Sequence, residues 1–166
     1  MALTRQLCDI SSVSGEERAI ADAVEALVST APHLEVVRDG DTIIARTSLG
    51  RARRGLIAGH LDTVPVNGNL PTRAQEDPDT GEQVLWGRGT VDMKAGVAVQ
   101  LALAMELTAP AVDLTWVWYD HEEVESSLNG LGRAMQAAPE LFAADFAILG
   151  EPTNGGIEGG CKGTPR

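Results

Sequence analysis

Apolar residues recur along this chain in distinct patterns, and each pattern predicts a different element. Ala19, Ile20, Ala23, Val24, Leu27 and Val28 fall three and four apart, the spacing of one helical face. A helix is predicted there, running to about Thr30 and ended by Pro32. Just ahead of it, Ser14-Gly-Glu-Glu17 reads as a capping box, with Ser14 as N-cap and Glu17 reaching back. A shorter helix is predicted from about Ala2 to Ile10. Leu34–Val37 and Thr42–Thr47 are β-rich runs on either side of Asp39-Gly40, a pair that favours a hairpin turn. Gly55–Gly59, Leu114–Tyr119 and Phe146–Leu149 are apolar without alternation, which predicts buried strands. Met93–Leu107 is alanine-rich and apolar and predicts a helix, and Gly130–Ala137 predicts another, closed by Pro139. Val66–Glu82, rich in Pro, Gly, Asn and Asp, predicts a surface loop. Neither an internal repeat nor a low-complexity tract interrupts this order. Strands alternating with helices predict an α/β fold, a three-layer sheet with helices on both faces.

Composition narrows the function more than the fold. A chain of 166 residues, 43% of them hydrophobic, is about one domain with a real core. Its net charge of -11 argues against nucleic acid as a partner, because binding phosphates needs a basic surface. No apolar run approaches the roughly 18 residues of a membrane span, so no membrane partner is expected. Cys8 and Cys161 make no disulfide framework or zinc knuckle. The start, Met1-Ala-Leu-Thr-Arg5, lacks a basic region followed by an apolar core, and a cytoplasmic location is the expectation.

Open α/β sheets bind ligands beyond the carboxyl ends of their strands. The chemistry-bearing residues of this chain fall there. Gly59-His-Leu-Asp-Thr63 follows the first apolar strand, and Glu122-Glu123 follows the second. Gly150-Glu-Pro-Thr153 follows the third, and Gly87-Arg-Gly-Thr-Val-Asp-Met-Lys-Ala-Gly96 sets Asp92 between glycine turns and a helix. Each cluster alone has an ordinary structural reading. His60 and Asp62 describe equally a strand-end histidine and a capping aspartate, and Asp92 describes an N-cap. Glu122 and Glu123 sit in an acidic loop with Asp120 and Glu125, and Gly150–Thr153 describes a turn. Together, one histidine and several carboxylates at neighbouring strand ends suit two divalent metal ions sharing a bridging carboxylate, which is machinery for activating water. His60 is then a ligand and Asp62 the carboxylate that fixes its tautomer. Adjacent residues of an extended segment point opposite ways, so one of Glu122 and Glu123 binds metal while the other faces water.

In this order the clusters resemble the successive metal-site motifs of the zinc aminoacylase and carboxypeptidase family, with the glycine-rich stretch around Asp92 the most specific. That family includes acetylornithine deacetylase, aminoacylase, glutamate carboxypeptidase and succinyl-diaminopimelate desuccinylase. Within it the chain is most similar to the actinobacterial desuccinylases, through Gly59–Pro71, Tyr119-Asp-His-Glu-Glu123, Asn129-Gly-Leu-Gly132, Ala144–Thr153 and Ile157-Glu-Gly-Gly-Cys-Lys-Gly163. The resemblance implies two Zn2+ ions, with Co2+ as a substitute. Asp92 bridges them, and its bond to Met93 is cis. His60 and Glu151 complete one metal position and Glu123 serves the other. Glu122 is the general base and Asp62 orients His60. The implied reaction is hydrolysis of N-succinyl-LL-2,6-diaminopimelate to succinate and LL-diaminopimelate, a step toward lysine and cell-wall precursors. The implied partners are a small acylated amino acid as substrate and, for the full-length protein, a second copy in a homodimer. Acetylornithine or a small peptide as substrate, or a non-catalytic metal-binding module, are the competing readings.

The chain departs from the family pattern in extent. The resemblance makes residues 1–166 the amino-terminal portion of the catalytic domain. It then expects the dimerisation domain, the carboxyl-terminal catalytic portion and a late histidine for Glu123's metal position to be absent. Weak or no amidase activity and exposed sheet edges are the corresponding expectations for this chain. Of the other histidines, His33 after Pro32 is expected at the surface, and His121 beside Glu122 is expected to support the ligands rather than be one.

Overall fold

The computed structural model describes residues 1–159, and Cys161 lies outside them. Strand β1 (Glu35–Asp39) pairs antiparallel with β2 (Thr42–Arg46) across the Asp39-Gly40 turn, and β2 pairs antiparallel with β6 (Asp113–Tyr119). On the other side of β6, β3 (Arg54–His60) runs parallel, and β7 (Phe146–Leu149) runs parallel to β3. The sheet order is β1-β2-β6-β3-β7. The remaining strands, β4 (Arg73–Glu76) and β5 (Gln83–Trp86), form a separate hairpin.

Side chains alternate across a strand, so each central strand feeds two cores. Ile43, Ala45, Trp116 and Trp118 point to one face, where α1 (Ala2–Asp9), α2 (Arg18–Val28) and α3 (Lys94–Glu106) cover them. Ile44, Val117 and Tyr119 point to the other, under α4 (Gly130–Ala137) and the 3-10 turn Pro139–Phe142. Helices on both faces of one mixed sheet make the three-layer α/β arrangement that the sequence predicts. Helix α2 buries Ile20, Val24 and Val28 completely, each contributing about 1.5–3 kcal/mol. That burial, more than a cap, holds the helix in place.

The capping box is a correction. Helix α2 starts at Arg18 with Glu17 as its N-cap residue, and no side chain caps it. Ser14 turns its side chain to Asp62, and Glu17 reaches back only to the Gly15 amide and on to that of His121. A second correction concerns β7. Its apolar run predicts a buried strand, yet all four residues are exposed. Among the described residues the strand lies at the sheet edge and pairs with β3 alone. The Val66–Glu82 loop also gives way in part to the β4–β5 hairpin. Strand β4 is polar and exposed and β5 is a short half-buried Val84-Leu-Trp86 run, which left no apolar alternation to read. Arg73 stacks on Trp86 at 3.9 Å and helps close it. His33 is half-buried rather than at the surface, since its Nε2 meets the Ala104 carbonyl at 2.9 Å.

Candidate metal centre

Register places the centre. His60 pairs with Tyr119 at the ends of β3 and β6, and Ala58 pairs with Leu149 near the end of β7. The segments leaving these strands therefore start side by side. Helix α3 brings Asp92 to the same end, and small residues permit the approach. A Cβ on Gly59 would lie 2.7 Å from Met93 Cε, and one on Gly96 would lie 2.9 Å from the Gly150 carbonyl oxygen. Only glycine leaves room for helix and strand ends this close. Gln100 donates to the Ala58 carbonyl at 3.0 Å and fastens the helix there. The Asp92–Met93 bond is cis.

His60 is buried, and Nδ1 lies 3.0 Å from the Asp62 carbonyl oxygen and 3.4 Å from its carboxylate. With Nδ1–H donating to Asp62, Nε2 is the nitrogen left facing the solvent side. It lies 3.0 Å from Asp92 Oδ1 and 3.9 Å from Glu151 Oε2. Ligand atoms of His60, Asp92 and Glu151 lie within 4.8 Å of one another, and so do those of His60, Glu122 and Glu123. Both glutamates thus converge on one imidazole instead of pointing opposite ways. His121, between strand end and glutamates, has φ 58, a left-handed turn that breaks the extended geometry the sequence reading assumed.

Asp62 contacts more than His60. Fully buried, it accepts the amide hydrogens of Glu122 and Glu123, one on each oxygen, at 2.9 Å. Ser14 Oγ donates to it at 2.6 Å. Burial raises its pKa, but His60, Ser14 and the Glu123 and Glu122 amides more than reverse that and hold it far below the carboxylate range. Burial alone lowers the His60 pKa. Asp62, Glu151 and Asp92 outweigh it and push the ring up to about 9. Glu123 and Glu151 are both raised, first by burial and then by the carboxylates around them, with His60 opposing. A cavity of about 270 Å³ opens beside Asp92 and Glu123, lined by Thr63, Val64 and the Gly87–Val91 turn.

One imidazole and four carboxylates gather here, and burial, then the neighbouring carboxylates, hold two of them above their ordinary pKa. A divalent cation relieves such repulsion, and nitrogen with carboxylate oxygen is a donor set that zinc accepts. The residues fit the metal that the sequence implies. The sequence reading missed the outer layer: Ser12, which it left unassigned, Ser14 and Glu17, which it assigned to a cap, and the buried Lys94, whose Nζ donates to the Ile10 carbonyl at 2.8 Å. Burial lowers the Lys94 pKa to about 8.

The sequence profile of peptidase family M20/M25/M40 matches residues 56–161. The chain belongs to that family. A Mycobacterium tuberculosis protein provisionally named succinyl-diaminopimelate desuccinylase is 53% identical over 165 residues, covering 99% of this chain and 45% of that protein. The succinyl-diaminopimelate desuccinylase of Corynebacterium glutamicum is 45% identical over 171 residues, covering 100% of this chain and 45% of its own length. The chain thus spans less than half the length of these curated relatives. Among solved structures, an M20 family metallo-carboxypeptidase from Sulfolobus solfataricus superposes with a TM-score of 0.69 at 17% identity, over 88% of this chain and 36% of that one. A dinuclear metal binding peptidase of the M20 family from Bacillus subtilis gives 0.63 at 13%, over 89% and 41%. At such identities these structures speak for the fold, and it is the fold of M20 peptidases.

Proposed function

We propose that this M20-family chain is the amino-terminal portion of a metal-dependent amidohydrolase acting on N-succinyl-LL-2,6-diaminopimelate. The observation that carries the reading is the convergence of Asp92, Glu151, Glu122 and Glu123 on His60 at three strand and helix ends. Identity of 53% and 45% to relatives carrying the desuccinylase name supports the substrate. His60 and Glu151 would hold one Zn2+, Glu123 a second, and Asp92 would bridge them. When bound, such ions polarise an amide carbonyl and acidify water.

The chain's own residues supply the rest. Glu122 would take a proton from the attacking water and pass it to the departing amine nitrogen. Asp62 holds the Glu122 and Glu123 amides in place, so the base and its neighbour enter the reaction already positioned. The His60–Asp62 contact keeps Nε2 turned toward the ligand cluster.

The test is succinate release from N-succinyl-LL-diaminopimelate, with Zn2+ present, by the whole gene product carrying residues 1–166. Succinate should be released in preference to acetate from N-acetylornithine. Glu122→Gln should lower kcat by about 10²–10⁴-fold. Preference for the acetyl substrate would move the reading to a deacetylase of the same family. Release unaffected by Glu122→Gln would remove Glu122 from its role.

A further inference from the structure

The segment ahead of α2 is tied to the candidate metal centre at three positions, Ser12, Ser14 and Glu17. Ser12 Oγ donates to the Leu61 carbonyl at 2.7 Å, and Ser14 Oγ donates to Asp62. The backbone of Ser12 and Ser14 exchanges hydrogen bonds with Thr63. Glu17 completes the series. It is fully buried, and Oε1 accepts the amides of Gly15 at 2.9 Å and His121 at 3.2 Å. Its Oε2 is buried with no hydrogen-bond partner among the described residues. His121 Nδ1 lies 2.6 Å from Asp120 Oδ2 and 3.5 Å from Glu17 Oε1. Asp120 is itself held by Thr42 and Arg133. His121 is therefore fastened on both sides at the residue whose left-handed turn aims Glu122 and Glu123 at His60.

A buried carboxylate with one oxygen unpartnered carries a desolvation cost that a cap at the helix start would not need. Its two accepted amides lie at the turns that shape the centre. We propose that Glu17 is a positioning residue: through the His121 amide and imidazole it fixes the turn that brings Glu122 and Glu123 together on the metal. This rests on the metal-centre reading. It accounts for the Ser14–Glu17 pattern, which leaves α2 without a side-chain cap.

Co2+ titration of the protein, followed by visible absorption, tests it. Glu17→Ala removes the acceptor and should weaken Co2+ about 10- to 100-fold and shift its bands, as loss of a group supporting metal ligands does. Glu17→Gln keeps an acceptor oxygen for both amides and should restore most of the affinity. A merely structural role would lower the folded fraction without changing the affinity or bands of what remains folded. Unchanged affinity and spectrum in folded Glu17→Ala would overturn the proposal. Should Glu17→Ala fail to fold, Glu17→Met decides: it fills the buried space but accepts neither the Gly15 nor the His121 amide, so weaker Co2+ binding is expected and unchanged binding overturns the proposal. Absence of Co2+ binding by the unsubstituted protein would instead remove the metal-centre reading beneath it.

Discussion

Strands β6 and β7 flank β3, run parallel to it, and each hands a glutamate segment to the same centre. They read alike in sequence, Leu114–Tyr119 and Phe146–Leu149, yet all seven residues of β6 are buried and all four of β7 are exposed. The difference is position. Strand β6 lies between β2 and β3, with helices above and below, whereas among the described residues β7 has a strand on one side only. It extends to the segments that follow. The loop after β6 is pinned by Asp62, Glu17, Thr42 and Arg133. The turn after β7 starts from one backbone bond, Gly150 to the Ala58 carbonyl at 2.9 Å, and leaves the Glu151 side chain 39% exposed. Half of the candidate centre is held by several hydrogen bonds from the fold, and the other half follows an edge strand.

The largest effect is expected in the core under β6. Trp116→Ala should cost about 3–5 kcal/mol, read from urea unfolding. A loss comparable to that of an edge residue would erase the contrast. Next comes the pinned loop. Asp62→Ala strands the Glu122 and Glu123 amides and should cost about 2–4 kcal/mol, and it should weaken Zn2+ about 10- to 100-fold. A destabilised variant with unaltered Zn2+ affinity would separate the scaffold from the site.

A smaller effect belongs to the far end of β6. Burial raises the Asp113 carboxyl pKa, but the Leu49 and Arg51 amides, the Thr47 hydroxyl and Arg54 outweigh it and hold it below its ordinary value. A carboxylate depressed in this way stabilises the fold above its unfolded pKa, near 4, and the contribution is lost as pH falls through the lower folded value. Asp113→Asn should therefore cost about 1–3 kcal/mol at pH 7 and flatten the acid side of the stability profile, measured by unfolding between pH 7 and 2. The smallest effect is on the edge. Ile148, 52% exposed, should lose less than about 1 kcal/mol on replacement by Ala. A loss matching Trp116→Ala would mean that β7 is covered in solution.

Much of this was legible beforehand. Helical spacing gave α2, apolar runs gave β3, β6 and β7, their ends gave His60, Glu122, Glu123 and Glu151 as candidates, and the glycine turns ahead of α3 gave Asp92. What stayed hidden depends on three-dimensional neighbours. Periodicity reports that Phe146–Leu149 is apolar, not that it borders the sheet. The Ser14-x-x-Glu17 spacing suits a cap and an anchor equally, and only the proximity of Asp62 and His121 decides between them. The convergence of Glu122 and Glu123 turns on the φ of His121, which a histidine does not announce in sequence.

Calorimetric titration of Zn2+ into the protein and into His60→Ala addresses the central claim most directly. Tight binding that His60→Ala abolishes is the predicted result. Absence of binding, or binding that His60→Ala leaves unchanged, would contradict a metal centre built on His60.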